Sequence, residues 1–323
     1  METLIVKTKE VATRLLPKSG YMSIRLKQQG DGTGTLDLII QGNAIAKIAG
    51  GVFIDNGVEK TEMQMNDWAD ARKVKLYDKE GYIYLPDNPP GPNYQGYWGF
   101  SEIPAVVNPN APIVDYNSRL NKLRYVSGMF KWRSGFNQPI YGVEIIPELA
   151  NLNDGVSTMF DECIDFNQEV EHLNTKGIQK FDGFISRLSS FNKGIAKLDV
   201  SSAISMRNFA SGSIALNKPV KGWKTANVLD FGSAFNNCIS MDQDLSVLDY
   251  NKEVILEGFI NWTATSPSNY DKLLEKLASY DWTGRTNPKV FDAAGVKYSS
   301  KGAAFRTTLI NAGWTINDGG LAS

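Results

Sequence analysis

Phe231–Asp249 reads FGSAFNNCISMDQDLSVLD, and Val156–Val170 reads VSTMFDECIDFNQEV. Laid over one another they share a phenylalanine (Phe160, Phe235), a cysteine three residues on (Cys163, Cys238), and then a large apolar residue followed by Asn or Asp. That last pair recurs at Phe136-Asn137, Phe166-Asn167, Phe191-Asn192, Leu216-Asn217 and Met241-Asp242, and from Phe166 onward the step does not change. Four positions beyond each anchor stand Ile140, Val170, Ile195, Val220 and Leu245; seven beyond stand Val143, Leu173, Leu198, Trp223 and Leu248. Six or seven before it stands another phenylalanine, Phe130, Phe160, Phe184, Phe209 or Phe235, and Phe259 follows Phe235 at nearly the same interval.

Columns that keep one step, here about 25 residues, are the mark of a repeat array. A unit of that size cannot bury its apolar face alone, so stacked copies are expected to set Phe on Phe and Leu on Leu in one continuous core. The fold class expected is mixed α/β: a β-rich N-terminal domain, then a leucine-rich-repeat-like solenoid with a C-terminal helical cap. Parallel strands would advance each coil by ~4.8 Å. The Asn or Asp after each anchor is expected to bond backbone at the bend, as Asn does in turns. For the cap, Leu273, Leu274 and Leu277 share one face of a helix over Tyr270–Tyr280, and Ser300 is placed to N-cap a helix that ends at Gly313.

Outward from the repeats, residues 1–85 read as β-rich. Tyr21–Lys27 alternates Met, Ile and Leu with Tyr, Ser and Arg, and Thr35–Gln41 is a second strand. Val74–Tyr77 and Tyr82–Leu85 flank Asp78-Lys79-Glu80-Gly81, which reads as a hairpin turn, and Glu10–Leu16 as a short helix. Seven of the 13 prolines fall between 86 and 112, so 86–118 is expected to be a stiff connector with neither helix nor central strand. The expected organisation is therefore 1–85 docking domain, 86–118 connector, 119–262 repeats and 263–323 cap.

Composition excludes several functions. With 34 Lys and Arg against 35 Asp and Glu, the net charge of −1 lacks the basic excess of a nucleic-acid or polybasic membrane-surface binder. Two cysteines support no disulfide framework, and His172, the single histidine, leaves most triads and His-based metal sites unfilled. No stretch has the ~20 apolar residues of a spanning helix, and METLIVKTKE lacks the form of a secretion signal.

Individual candidates read blandly. Gly30–Gly34 lacks the Lys-Ser/Thr of a phosphate loop and reads as a hairpin turn. Cys163 and Cys238, three repeat steps apart, are expected to be small core residues out of disulfide reach. His172 faces solvent, and the pairs Asp161-Glu162 and Glu169-Glu171 read as a solvated face. Asn261-Trp262-Thr263 is a glycosylation sequon expected to be unused. The candidate partner-binding surface is the aromatic cluster Tyr94, Tyr97, Trp98 and Phe100, whose alternative role is packing between domains. The candidate structural core is Phe130, Phe136, Phe160, Phe166, Leu173, Phe184, Phe191, Leu198, Phe209, Trp223, Phe235 and Leu248. No catalytic, cofactor or metal residue is expected.

The columns resemble BspA-like leucine-rich repeats, a family that includes the repeats of Mycoplasma surface lipoproteins. Its pattern, roughly V-x-x-M-F-x-x-C-x-x-F-N-Q-x-L, is met by Met159-Phe160, Cys163, Phe166-Asn167-Gln168 and Val170, and RTTLINAGWTINDGG (Arg306–Gly320) is similar to the family's ending. Lys193 and Lys218 depart from the pattern by replacing Gln. The resemblance implies surface-exposed proteins of adhesion or assembly. Joined to the absence of a signal, it leads to the expectation of a non-enzymatic bacteriophage virion protein. Its N-terminal domain would dock on other virion proteins, and its repeats would contact a host surface protein or glycan. A cellular adhesin-like protein exported by a non-standard route is the alternative, and a carbohydrate-active enzyme the third.

Overall fold

The computed structural model describes residues 21–41, 45–65, 71–86, 98–102, 113–115, 120–151 and 154–323. The helix expected over Glu10–Leu16 lies outside them. The chain forms two compact units, Met1–Met129 with Pro139–Ile146, and Phe130–Gln138 with Pro147–Ser323.

The first unit holds twelve described strands: β1 (Tyr21–Lys27), β2 (Leu36–Gln41), β3 (Ile45–Ala49), β4 (Gly51–Asp55), β5 (Val58–Lys60), β6 (Glu62–Gln64), β7 (Ala71–Leu76), β8 (Glu80–Pro86), β9 (Trp98–Glu102), β10 (Ile113–Val114), β11 (Leu120–Tyr125) and β12 (Val143–Ile145). One sheet runs β10-β1-β8-β3-β6 and the other β12-β11-β9-β2-β7-β4-β5. Pairing is antiparallel except where β11 meets β9 and β12. Alternation in β1 buries Ile24 and Leu26, which oppose Ile83 and Gly81 of β8.

The hairpin expected across Asp78–Gly81 does not form, because β7 and β8 belong to different sheets. The chain crosses between sheets there and again at Gly50-Gly51, between β3 and β4. The two crossings touch: a Cβ on Gly51 would lie 2.3 Å from the Lys75 carbonyl oxygen, and one on Gly50 would lie 2.5 Å from the Glu80 carbonyl oxygen. The turn at Gly30–Gly34 likewise joins β1 to β2 across sheets rather than closing a hairpin. Residues 86–118 supply β9, an interior strand between β2 and β11, so the expectation of a segment without central strand is corrected there. The prolines on either side hid that strand, and its partners are far away in sequence.

The expected leucine-rich-repeat solenoid with a helical cap is overturned. Regular structure among the described residues is mostly short antiparallel strands in small sheets, with two helices longer than four residues. From 154 to 262 no strand forms. That stretch holds consecutive turns, one 3-10 turn at Leu245–Val247, and isolated parallel bridges at Lys180–Ser205, Ser205–Asp230 and Asp230–Ile255. The reason is local. Left-handed residues recur at Thr158, Gly183, Asn208, Ser233 and Gly258, and again four positions on at Glu162, Arg187, Gly212, Asn237 and Trp262. These interrupt any extended backbone. Alternate N–H groups point to the following repeat: those of Phe181, Gly183, Ile185 and Arg187 donate to the carbonyls of Ser205, Arg207, Phe209 and Ser211. The next repeat does the same, from Met206, Asn208, Ala210 and Gly212 to Asp230, Gly232, Ala234 and Asn236. The groups between bond three residues back, as Phe184 does to Phe181.

The apolar columns are in contact. Ring centroids lie 5.5 Å apart for Phe160–Phe184, 6.0 Å for Phe184–Phe209, 6.2 Å for Phe209–Phe235 and 5.8 Å for Phe235–Phe259. All twelve candidate core residues are buried.

After a four-residue helix α1 (Pro147–Ala150) and the repeats, the second unit ends in α2 (Pro267–Ala278), β13 (Val290–Ala293), α3 (Gly302–Asn311) and β14 (Thr315–Asp318). It is not a purely helical cap: β13 and β14 pair in parallel, and Phe291 bridges back to Leu256. Leu273, Leu274 and Leu277 of α2 are buried. The N-cap of α3 is Lys301 rather than Ser300, and no side chain caps the helix there.

Candidate interaction surface

The asparagine of each anchor pair ties one repeat to the next. Asn137 Oδ1 accepts the N–H of Asn167 at 2.9 Å, Asn167 that of Asn192 at 3.1 Å, Asn192 that of Asn217 at 3.0 Å, and Asn217 that of Asp242 at 3.1 Å. Asp242 closes the series on the N–H of Ser266 at 2.7 Å. The side-chain oxygen bonds backbone, as expected, and the amide it takes belongs to the next repeat. Where Gln follows the anchor, its amide adds a second bond to the same oxygen: Gln168 to Asn137 at 2.9 Å, and Gln243 to Asn217 at 2.5 Å. Lys193 instead reaches Glu169 at 3.6 Å.

A second column lies in the core. Cys163 Sγ donates to the Phe130 carbonyl at 2.7 Å, Ser213 Oγ to Ile185 at 2.5 Å, and Cys238 Sγ to Ala210 at 3.1 Å. Both cysteines are free and buried, and burial pushes each thiol up to about 12. The polar role of this column, with Ser213 in the place of a cysteine, is visible in sequence only once the repeats are aligned at their common step.

These ties fix what the outer surface presents. The left-handed column Trp132, Glu162, Arg187, Gly212, Asn237 and Trp262 sits at the outer turn, and each N–H donates to the following repeat or, for Trp262, to Ala294. Two residues on, Ile164, Ile214 and Ile239 stand exposed; Ile239 is 56% accessible and Trp262 58%. The C-terminal half of this ridge is uncharged, because 208–217, 231–241 and 258–270 contain no Asp, Glu, Lys or Arg. Ile214 and Ile239 thus stand exposed one repeat apart in the same column, and Trp262 stands exposed in the left-handed column two residues before the equivalent place in the next repeat, where its ring lies over Gly295. Sequence reasoning missed them: the exposed isoleucines keep the same step as the core residues.

The other candidates fall as follows. Tyr94 and Tyr97 lie outside the described residues. Trp98 and Phe100 lie on β9, opposite Leu123 and Ile40 respectively. Asp31 in the Gly30–Gly34 turn accepts from Thr33 N–H at 3.0 Å and Oγ1 at 2.7 Å; the hydroxyl bond, then the backbone bond, hold its carboxyl below the usual carboxylate range. His172 is exposed. The carboxylates are not one solvated face. Asp161 is buried, bonded by Ser186 and paired with Arg187 at 2.9 Å and Lys131 at 3.3 Å. Glu162 meets Arg187 at 3.0 Å, and Glu171 accepts the Lys197 N–H at 3.0 Å. In the sequon, Asn261 Oδ1 accepts the Ala294 N–H at 2.7 Å and Thr263 Oγ1 donates to Ile260 at 3.0 Å.

The arrangement orders side chains in fixed rows; its polar groups are spent on joining repeats. No helix among the described residues is long and apolar enough to cross a membrane. Residues 154–272 match the family model described as "Mycoplasma protein of unknown function, DUF285". No curated protein matches the chain, and no solved structure does.

Proposed function

We propose that this chain is a non-catalytic contact protein of a bacteriophage particle. In this reading its strand-rich first unit docks on other virion proteins, and its repeats meet a partner through Ile214, Ile239 and Trp262. The supporting observation is their exposure: large apolar side chains are left exposed in rows whose backbone and core are tightly bonded between repeats. Exposed apolar residues that recur in neighbouring uncharged repeats mark an interaction site more often than singly scattered ones do. Trp and Ile so placed supply buried area on association, and the fixed rows lower the entropy lost in ordering them.

The test is mass spectrometry of purified phage particles. The chain is expected in stoichiometric amount in the particle; its absence there removes the virion reading and leaves the contact reading standing. A second reading, a protein on the surface of a cell, is favoured by the match of 154–272 to a family described from Mycoplasma. It predicts that the chain is labelled on intact, uninfected cells.

A further inference from the structure

We propose that the lysines of the segment Lys218–Lys224, with the cleft beside it, bind an acidic polysaccharide, a sugar polymer carrying carboxylate groups. The first observation is how charge is distributed. The neighbouring rows satisfy their acids with their own cations: Glu169 with Lys193 at 3.6 Å, Glu171 with Lys197 at 3.9 Å, Asp244 with Lys272 at 3.1 Å and Asp249 with Lys276 at 3.4 Å. Residues 200–229 contain Arg207, Lys218, Lys221 and Lys224 and no Asp or Glu. Arg207 pairs with Asp230 at 3.3 Å. Lys218, Lys221 and Lys224 make no ion pair among the described residues.

The second observation is their placement. Val220 and Trp223 are buried, while Lys221 and Lys224 are exposed and Lys218 is half-buried. The segment turns between Val220 and Trp223, whose N–H donates to the Val220 carbonyl at 3.2 Å, so Lys221 and Lys224 are nearer than the about 10 Å that three extended residues span. Cations gathered on one short segment suit a polymer with spaced charges.

The third is the cleft. It has a volume of about 260 Å³ and lies between 196–201 and 222–224. Lys197 and Lys224 line it together with Asp199 and Ser201. Asp199 Oδ1 accepts Ser201 N–H at 3.0 Å and Oγ at 2.6 Å, which leaves Oδ2 without a bond among the described residues. A Cβ on Gly222 would meet nothing within 4 Å, so the approach over that backbone is open.

Cations beside an available carboxylate select the ligand class. A uronic-acid polymer offers carboxylates to the lysines and hydroxyl donors to Asp199. An acidic peptide offers the first without a hydroxyl on each unit for Asp199, whose repulsion of carboxylates is common to both ligands. Nucleic acid calls for a broader basic field than a chain of net charge −1 provides.

The experiment is calorimetric titration of the full chain with trigalacturonate, with a neutral galactose trisaccharide, and with hexaglutamate. Trigalacturonate is expected to bind and the neutral sugar not to. Lys221→Gln with Lys224→Gln, at unchanged melting temperature, should weaken binding about tenfold, and added salt should weaken it further. Asp199→Asn should weaken it as well, since the Asn amide keeps the Ser201 bonds while the anionic acceptor is gone. Absence of trigalacturonate binding overturns the proposal. So does equal or tighter binding of hexaglutamate that strengthens in Asp199→Asn, which would mark an acidic protein surface as the partner. Neither result bears on Ile214, Ile239 and Trp262, which lie elsewhere in the sequence.

Discussion

Asn192 Oδ1 accepts the backbone N–H of Asn217, one repeat further along the chain, at 3.0 Å. The bond is one rung of a series that runs from Asn137 to Ser266, and it says how the repeats are held in register: by a side-chain oxygen matched to one amide per repeat. Asn192→Ala removes the oxygen and leaves the Asn217 amide without its partner, for a loss of about 1 kcal/mol. Asn192→Asp keeps an acceptor, as Asp242 does in the same column, and should lose less than half as much. Urea denaturation of the two variants against the parent measures the difference.

Acid should loosen the last rung. Burial pushes the Asp242 carboxyl up, but the bonds from Ser266 and Asn269 and the charge of Lys272 outweigh it and hold the group below the usual carboxylate range. A carboxyl depressed on folding adds stability that is fully present above its unfolded value and is lost as pH falls through its folded value. The stability gap between the parent and Asp242→Asn, which keeps Oδ1, is therefore expected to be constant near neutrality and to close below about pH 4. Chemical denaturation from neutral into acid solution follows it. A gap that widens in acid would contradict the assignment.

The two thiols should be inert in the folded chain. Each is buried, donates to a carbonyl, and is pushed by burial up to about 12, so little thiolate exists near neutral pH. Alkylation by iodoacetamide is expected only after denaturant is added. Cys238→Ser should cost less than about 1 kcal/mol, because Ser213 already makes the equivalent bond one repeat earlier.

Thr158 and Gly183 occupy the same left-handed position in successive repeats, at φ 53° and 61°. A β-branched residue is strained there, by about 1 kcal/mol or more. Thr158→Gly is expected to be neutral to stabilising by up to about 1 kcal/mol, since the relief is offset in part by the freedom of glycine in the unfolded chain. Gly183→Thr should destabilise by more than that, because its Cβ would come within 3.3 Å of Thr158 Cγ2. Thermal melts of the pair test the strain directly.

The period was legible in the sequence and the backbone was not. Phe160, Phe184, Phe209 and Phe235 keep their step whatever conformation lies between them, so contact among their rings follows from spacing alone. The conformation between them depends on left-handed φ at Thr158, Glu162, Arg187 and Trp262, residue types that carry no such signal; Gly183, Gly212 and Gly258, with Asn208 and Asn237, hint at it. An expectation of extended strands, and with it of a leucine-rich-repeat solenoid, failed there. In the first unit β1 and β2 were readable from alternation, but which strands pair was not: Asp78–Gly81 has the composition of a hairpin turn, and it is Gly50, Gly51 and Gly81 packing against distant backbone that carries the chain to the other sheet. The exposed residues escaped notice because Ile214 and Ile239 are as apolar as their buried neighbours; only burial separates them.

In the proposed function Ile214, Ile239 and Trp262 meet a partner while the first unit holds the chain in the particle. Phage particles carrying Ile214→Asp with Ile239→Asp test it, with adsorption to host cells as the readout. The variant chain is expected to melt as the parent does and to be retained in purified particles at parental amount, while adsorption falls by about tenfold. Parental adsorption by particles that carry the folded variant would contradict the account.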